Sequence, residues 1–362
     1  MKEINNRDEL LAFVTGIDAN TIVCPCRTRG YTLEYHANTD EMQIAGLGTA
    51  NPVKVGMTAQ KTLAEAIEFT CAASGKLSMP HFCEVYNLIA SHVPQRKRNA
   101  IIRHYETPTP ELIGIPSSLY SYLPMQTLLT NVEAALDDTV ASYRFVRATY
   151  DPWLTALYYD MELEDEHRQN LKEQYDFDGE PVRFSLTITT SDNGLSCTSI
   201  HPILHVGSRE IWLHGKGDSV SHIFNTHAMP ESKIRASAES IFAIARIGAD
   251  QLSALFSIAV THPAEVAYRI MKQLQIATKW TAMCTQSIYG RMQQGMDFTA
   301  ADLVLEVSDY LEAYLSQNDV AEFRKLNFRE DLCKMMFYDR DKWRSMDRDF
   351  TEREANVLTL NY

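Results

Sequence analysis

The sequence has no apolar run long enough to cross a membrane, since a spanning helix needs about 20 consecutive apolar residues. Its N-terminal stretch, MKEINNRDELLAF, has acidic residues where a secretory signal peptide would have an apolar segment. Glycine and proline are also sparse, at 15 and 13 of 362 residues, which excludes a collagen-like or low-complexity chain. We therefore expect a globular protein that neither enters a membrane nor is secreted.

Cysteine pairs with a recognisable function are missing as well. The seven cysteines are odd in number and widely spread, which is typical of reduced thiols rather than of a disulfide framework. Cys24-Pro25-Cys26 has one residue between its thiols, where zinc and thioredoxin motifs have two, and no second pair follows. The sequence predicts a reducing, cytoplasmic location and no cofactor.

Positive charge is scarce, because 34 Lys and Arg residues face 47 Asp and Glu residues and the formal net charge is -13. This balance disfavours indiscriminate binding to nucleic acid but allows a local basic stripe. Two groups of cations are candidates for contact with phosphates, and a solvated charged face is the alternative for both. The first group is Arg96, Lys97, Arg98 and Arg103, and the second is Lys325 and Arg329.

Alternating and helical apolar patterns predict an α+β fold, in which small antiparallel sheets are backed by helices and a helical bundle follows at the C-terminal end. Four regions follow from these patterns. They are an N-terminal α+β region at 1–106, a connecting mixed region at 107–182, a three-stranded antiparallel sheet with a long helix at 183–260, and a helical region with a charged tail at 261–362.

The apolar pattern of the third region also predicts the strand pairing. A two-residue turn at Gly207-Ser208 pairs Leu204 with Ile211 and collects the apolar side chains on one face. A two-residue turn at Asn193-Gly194 would turn the preceding apolar face outward. We therefore expect a longer or bulged loop at Ser191–Ser196.

The same region also contains a heptad-like seam, a row of apolar and small residues at spacings of four and three. It lies on a predicted helix that can begin at Pro230. Gly248, Leu252 and Leu255 belong to this seam. We favour a core helix that lies on the sheet, because the apolar face of an amphipathic helix mostly packs against the core of its own chain. A seam between subunits is the alternative.

Two stretches resemble a known family. Gly46-Leu47-Gly48-Thr49, with Met57-Thr58-Ala59-Gln60 opening a helix, is similar to the N-terminal signature of a phage- and plasmid-borne family. The second stretch contains FSLTITTSD from Phe184, then His201-Pro202 and Val206-Gly207, and continues to the helices around His262-Pro263-Ala264. The family carries a domain of unknown function, so the resemblance implies a mobile element, a bacterial host cell and a mixed α+β fold, but no activity.

Three histidines form a further candidate site. The predicted hairpin places His201 beside His214, with His205 on the same face, and histidine imidazoles are common zinc ligands. The alternative is a polar, solvated sheet face that is rich in histidine. In members of the phage- and plasmid-borne family that this stretch resembles, a tyrosine occupies the position of His201. This difference weakens the metal hypothesis.

Three functions remain open from the sequence. We expect a non-enzymatic phage or plasmid accessory protein that binds or anneals single-stranded nucleic acid, as an oligomer in one version. A self-assembling structural or interaction protein of a phage is the second hypothesis. A metal-dependent enzyme that uses the histidine face is the third.

Overall fold

The structure of the chain is a computed structural model. The residues that it describes are 2–69, 76–104, 109–139, 142–151, 153–162, 182–195, 198–207, 209–213, 222–223, 241–320, 322–352 and 354–355. They form two large β-sheets and a set of helices. The α+β prediction is confirmed.

The first sheet has six strands in the order β2-β6-β7-β5-β4-β3. Only the pair β5–β7 is parallel. Two helices, α2 and α3, pack against the sheet and bury its core. The elements are β2 Thr21–Arg27, β3 Thr32–His36, β4 Glu41–Ala45, β5 Val53–Val55, α2 Met57–Ala66, α3 Met79–His92, β6 Lys97–Arg103 and β7 Glu111–Gly114.

The second sheet has seven strands in the order β1-β8-β9-β10-β11-β12, with β13 also paired to β11. All its pairs are antiparallel. Helices α1 and α4 pack against it. The elements are β1 Lys2–Ile4, α1 Arg7–Ala19, α4 Met125–Thr139, β8 Ser142–Tyr150, β9 Thr155–Glu162, β10 Val182–Thr190, β11 Thr198–Val206, β12 Arg209–Trp212 and β13 His222–Ile223.

The strand register of the second sheet agrees with the apolar pattern. Leu204 pairs with Ile211 across the predicted turn. In the preceding pair, Ile188 lies opposite Ile200, which keeps both side chains in the core. A two-residue Asn193-Gly194 turn does not produce this register, so the prediction of a longer connection is confirmed. The three strands are, however, part of the seven-stranded sheet and do not form a small sheet of their own.

The C-terminal elements are mainly helical and pack against one another and against the second sheet. Thr299 and Asp302 form a capping box at the start of α8, and the Thr-x-x-Asp spacing typical of this motif is visible in the sequence. The elements are α5 Ile241–Phe256, β14 Ala259–Val260, α6 Pro263–Gln273, α7 Thr278–Gln293, β15 Phe298–Thr299, α8 Ala300–Gln317, α9 Glu322–Met336 and α10 Arg340–Met346.

The described part of the apolar seam on α5 packs within its own chain. Leu252 and Leu255 are fully buried, and a Cβ at Gly248 would lie 2.4 Å from the side chain of Leu213. This is the arrangement of a core helix on a sheet. Pro230 and the first part of the predicted helix lie outside the described residues.

A long-range side-chain contact lies at the start of α2. Thr58 is not the N-cap of α2, because Gly56 occupies that position and the hydroxyl of Thr58 donates to the carbonyl of Ile113 at 2.7 Å. The side chain therefore ties the helix to the end of β7. Helix propensity alone does not reveal such a long-range bond.

A buried ion pair joins the two sheets. The guanidinium of Arg103, at the end of β6, lies 2.6 Å from the carboxylate of Asp192, which follows β10. Their side chains are only 7% and 8% exposed. Arg103 also donates to the hydroxyls of Tyr150 and Thr21, at 2.7 and 3.1 Å. Burial lowers and Asp192 raises the pKa of Arg103, and the net shift is upward.

Backbone contacts reinforce this junction. A Cβ at Gly114 would lie 2.1 Å from the carbonyl oxygen of Asn193, so only glycine permits the approach of β7 to the loop after β10. The hydroxyl of Tyr120 donates to the carbonyl of Ser191 at 3.1 Å. The loop between β10 and β11 therefore serves as the docking point for the first sheet.

We expect Asp192→Asn to lower the free energy of unfolding by about 3–5 kcal/mol, because it leaves the Arg103 cation buried without a counter-charge. Urea denaturation followed by circular dichroism measures the change. Asp160→Asn is the matched control, since Asp160 pairs with Arg144 at 47% and 77% exposure. Exposed pairs contribute about 1 kcal/mol or less. Equal losses in the two variants would contradict the role of the buried pair.

Candidate nucleic-acid interface

Pairing between β2 and β6 collects cations that are distant in the sequence. Arg27 lies directly opposite Lys97 in the antiparallel register. One step further, the backbone N–H of Thr28 donates to the carbonyl of Arg96 at 3.1 Å, and the N–H of Arg96 donates to the hydroxyl of Thr28 at 3.0 Å. The end of this strand pair thus brings the segment around Arg27 against the predicted basic run.

We call the resulting group the basic corner, and it consists of Arg27, Arg29, Arg96 and Lys97. All four side chains are exposed. Arg29 donates to the carbonyl of Val93 at 2.7 and 3.0 Å, which holds it beside the others. Among the described residues, a carboxylate contacts only one member, because Glu68 pairs with Arg96. The corner is therefore a local positive surface on a strongly acidic chain.

Arg27 and Lys97 are the members most accessible to an anion. Neither forms an ion pair with any residue in the described part of the chain. Cations without a protein counter-ion keep their full attraction for phosphate, whereas a paired cation must first exchange its partner. These two residues are thus the strongest candidates for direct contact.

Arg98 does not share the surface of the basic corner. It pairs with Cys26 across the strands, and alternate residues of a strand face opposite sides of a sheet. Arg98 is half-buried, and its Nε has no hydrogen-bond partner among the described residues. Burial raises the pKa of the Cys26 thiol to about 11, and Arg98 lowers it by a smaller amount. Arg98 therefore lies on the side of the sheet that carries Cys26.

The other predicted phosphate-binding residues are elsewhere. Arg103 is buried in the ion pair with Asp192, which excludes it from surface contact with phosphate. Arg329 donates to both carboxylate oxygens of Glu312, at 2.7 and 2.6 Å, and lies 4.8 Å from the centre of the Trp212 ring. Lys325 is half-buried on the same helix. That helix, α9, packs against β12 of the second sheet, so the two predicted groups do not form one surface.

Sequence reasoning missed Arg27 and Arg29. The signal was present as the short run Arg27-Thr28-Arg29, which directly follows the alternating stretch Thr21–Cys26. The pairing partner of that strand was not predicted, so nothing placed this run beside Arg96 and Lys97.

Two apolar side chains are exposed on the same strand as Arg27. Ile22 is 60% exposed and Val23 is 38% exposed. The strand β2 is at the edge of the first sheet and pairs only with β6 among the described strands. By strand alternation Val23 lies on the same face as Arg27, whereas Ile22 lies on the opposite face. The face of Arg27 therefore has cations and one exposed apolar side chain, which suits a ligand that has both charged and apolar parts.

The predicted histidine face is buried rather than solvated. His201 is 1% exposed, its Nε2 lies 3.7 Å from a carboxylate oxygen of Glu330, and its ring centre lies 5.6 Å from that of Trp212. Nearby on the same face, Thr187 and Ser199 are 1% and 2% exposed. The expectation of a solvated face is therefore wrong, because α9 covers this part of the sheet.

The two predicted histidines that the structure describes, His201 and His205, do not form a metal site with each other. His201 and His205 are four residues apart on one strand, about 13 Å, which is too far for one ion. The hydroxyl of Ser185 contacts Nε2 of His205 at 2.7 Å, and burial lowers the pKa of His205. His214 lies outside the described residues. Across the described ranges, no group of three or more His, Cys, Asp or Glu side chains is placed to hold a metal ion.

Comparisons with known proteins give no relative. No family model matches the sequence, no curated protein matches it, and no solved structure matches the fold. Among the described helices, none has the length and apolar character needed to cross a membrane.

The burial of Glu330 on α9 predicts a pH-dependent stability. Burial raises the pKa of Glu330 above its usual value. As the pH rises, the unfolded chain therefore loses this proton first, and the free energy of unfolding falls. We expect Glu330→Gln to unfold at higher urea concentration than the wild type at pH 8 and to match it at pH 4.

The exposed neighbour Asp331 provides the control for this comparison, because Asp331→Asn removes a carboxylate from the same helix at 53% exposure. We expect this variant to show no gain at pH 8. A Glu330→Gln protein that is less stable than the wild type at pH 8 would show that the charged carboxylate stabilises the fold.

Proposed function

We propose that this chain is a non-enzymatic accessory protein of a phage or plasmid that binds single-stranded nucleic acid through the basic corner. The observation that supports the proposal is the concentration of four exposed cations on a chain of net charge -13, with a single carboxylate paired to them among the described residues. Phosphate groups suit such a surface, because Lys and Arg neutralise them and release the counter-ions condensed on the nucleic acid.

The geometry favours binding that is independent of sequence. Side chains of Arg and Lys recognise phosphate oxygens without reading bases. In a single strand the bases are unpaired and accessible, so exposed Val23, which shares the strand face of Arg27, can contact their apolar faces. A duplex keeps its base faces stacked inside, and it would use the cations of the corner alone. This difference favours the single strand as the ligand.

Annealing is the activity that such binding would support. Two strands repel each other through their phosphates, and cations that neutralise part of this charge lower the repulsion. The proposal therefore extends to strand annealing wherever two or more copies of the basic corner act on neighbouring strands.

We expect the wild type to bind fluorescein-labelled oligo(dT) at low salt, with an affinity that falls as salt is added. Four phosphate contacts predict a slope of about -3 in a plot of log K against log salt, since each contact with a single strand contributes about -0.7. Fluorescence anisotropy measures both quantities. Absence of binding at low salt would end the proposal.

The double variant Arg27→Ala/Lys97→Ala tests the surface itself. We expect it to bind oligo(dT) about tenfold more weakly and to lower the salt slope by about 1.4, because two of the four contacts are lost. Arg144→Ala, which removes an arginine that is 77% exposed on β8, is the matched control and should leave both values unchanged. Glu68→Gln should strengthen binding, since it frees Arg96. Equal losses in the double variant and the control would contradict the assignment.

A further inference from the structure

Strand β8 lies at an edge of the second sheet, and part of this edge is open in the described chain. Strand β1 pairs with residues 148–150 of β8, and the chain then turns into α1. A shift of register between Phe145 and Arg147 marks a β-bulge, which is a feature that often ends strand pairing. Residues 142–145, beyond the bulge, pair with β9 and with no other described strand. We call residues 142–145 the open edge.

The other three edges of the two large sheets carry features that oppose the addition of a strand. Pro25 on β2 has no N–H to donate, and proline is a common protection of edge strands. On β3, the side-chain amide of Asn87 bonds to the N–H and the carbonyl of Leu33, at 3.0 and 2.8 Å. On β12, the carbonyl of Glu210 accepts from the hydroxyl of Ser308 at 3.1 Å. Within the described ranges, no side chain occupies the backbone of the open edge in this way.

A cleft lies beside the open edge. It has a volume of about 930 Å³ and separates residues 142–145 from helix α4. A strand that paired with the open edge would lie along this cleft, between the sheet and the helix. A groove between a sheet edge and a helix is the form of several sites that bind an extended peptide by strand addition. The helical wall of the cleft is formed by Arg7, Thr130, Glu133, Ala134 and Asp137.

Two aromatic rings form the apolar part of the cleft. Tyr143 and Phe145 are two residues apart on β8, so their side chains share one face of the strand. Both rings are half-buried and pack edge-on against the fully buried ring of Tyr159, with ring centres 6.0 and 5.6 Å apart. These contacts fix the rings at the border between the core and the cleft. Apolar side chains of an added strand would therefore meet a preformed apolar surface.

The charges of the cleft leave one carboxylate without a counter-ion. Glu133 accepts two hydrogen bonds from Arg7, at 3.2 and 2.6 Å, and Arg144 pairs with Asp160 at 2.5 Å. Asp137 is exposed and forms no ion pair with a described residue. Burial and the carboxylate of Asp137 raise the pKa of Tyr143 to about 12, so the Tyr143 hydroxyl keeps its proton and donates to Asp137. The cleft therefore favours a cationic side chain next to Asp137.

A second copy of this chain suits the open edge poorly. Antiparallel strands that pair about a twofold axis keep the same face of both sheets on one side. Both α4 helices, each with its Asp137, would then face each other across the junction. Like charges would meet there, on two chains that each carry a net charge of -13. A segment with a positive charge avoids this repulsion.

We propose that the open edge binds an extended peptide segment of a partner protein, which adds to β8 as a strand and places apolar residues and one Lys or Arg in the cleft. Main-chain hydrogen bonds to residues 142–145 supply binding that is independent of sequence, and alternate side chains of the peptide supply specificity. Four residues of a strand extend about 13 Å, so the core of the peptide is short. The pairing of β1 with the same edge shows that β8 accepts a strand on this side.

This site is separate from the basic corner, which lies on β2 and β6 of the first sheet. We therefore expect the Arg27→Ala/Lys97→Ala variant to bind peptides like the wild type. Failure of the nucleic-acid proposal and failure of the peptide proposal are distinguishable results.

A set of fluorescein-labelled peptides of the form X-Thr-X-Thr-X, in which X is Val, Phe, Lys or Glu, tests the specificity by fluorescence anisotropy. We expect the tightest binders to have one Lys and two apolar residues at the X positions. Exchange of that Lys for Glu should weaken binding about fivefold, because it places a like charge beside Asp137. Absence of binding by every peptide at about 1 mM would overturn the proposal.

Variants of Asp137 test the position of the charge. We expect Asp137→Asn to remove the preference for Lys over Glu and Asp137→Lys to reverse it. Glu84→Lys, which makes a similar charge change at an exposed position of α3, is the matched control and should keep the wild-type preference. An Asp137→Lys protein that still prefers the Lys peptide would overturn the assignment of the cleft. Circular dichroism checks that each variant is folded.

Hydrogen exchange tests the addition of a strand. Peptide binding should slow the exchange of backbone amides in residues 142–145, because N–H groups that point away from the sheet gain acceptors. The amides of β2 should be unaffected. Peptide binding that leaves residues 142–145 unchanged would overturn strand addition. Slower exchange that appears without peptide as the protein concentration rises would identify a second copy as the occupant and would also overturn the proposal.

Discussion

The buried ion pair between Arg103 and Asp192 is the contact on which the arrangement of the two sheets depends. Arg103 ends the strand that carries the basic run, and Asp192 follows the central strand of the other sheet. Two charges are stable in such a site only when each has its partner and when hydrogen bonds satisfy the remaining donors. Thr21 and Tyr150 supply these bonds. One cation of the predicted basic group is therefore structural, and it helps to hold the others in place.

The position of the basic corner follows from this junction. At one end of β6 the chain is anchored by Arg103 in the interior, and at the other end Lys97 reaches solvent. The partner strand β2 runs antiparallel, so its Arg27 arrives at the same exposed end. An acidic protein thereby presents a positive surface without a long basic sequence. The same strand pair also presents Ile22 and Val23 at the edge of the sheet.

The second sheet shows which structural features a local sequence pattern predicts and which it does not. Alternation of apolar residues predicted that Leu204 pairs with Ile211 and that the connection before β11 is longer than two residues, and both predictions are confirmed. These predictions depend on the alternation of side chains along a strand, which has a period of two residues and must place the apolar side chains on the buried face of the sheet. The opposite face was misjudged, because polar residues such as Thr187 and His201 predict contact with water. A helix more than 100 residues later in the chain covers them instead.

By itself, the sequence determined the α+β class, the register within hairpins, the capping box at Thr299 and the existence of a basic run. Each of these features depends on residues that are neighbours along the chain, or on the period of the apolar residues within one helix or strand. Only the tertiary structure decided that Arg27 joins Lys97 and that Arg103 is buried. Partners of this kind are chosen by strand pairing and sheet docking between residues 70 or more positions apart. Local patterns carry no information on such pairs, since many partners would satisfy the same burial and charge.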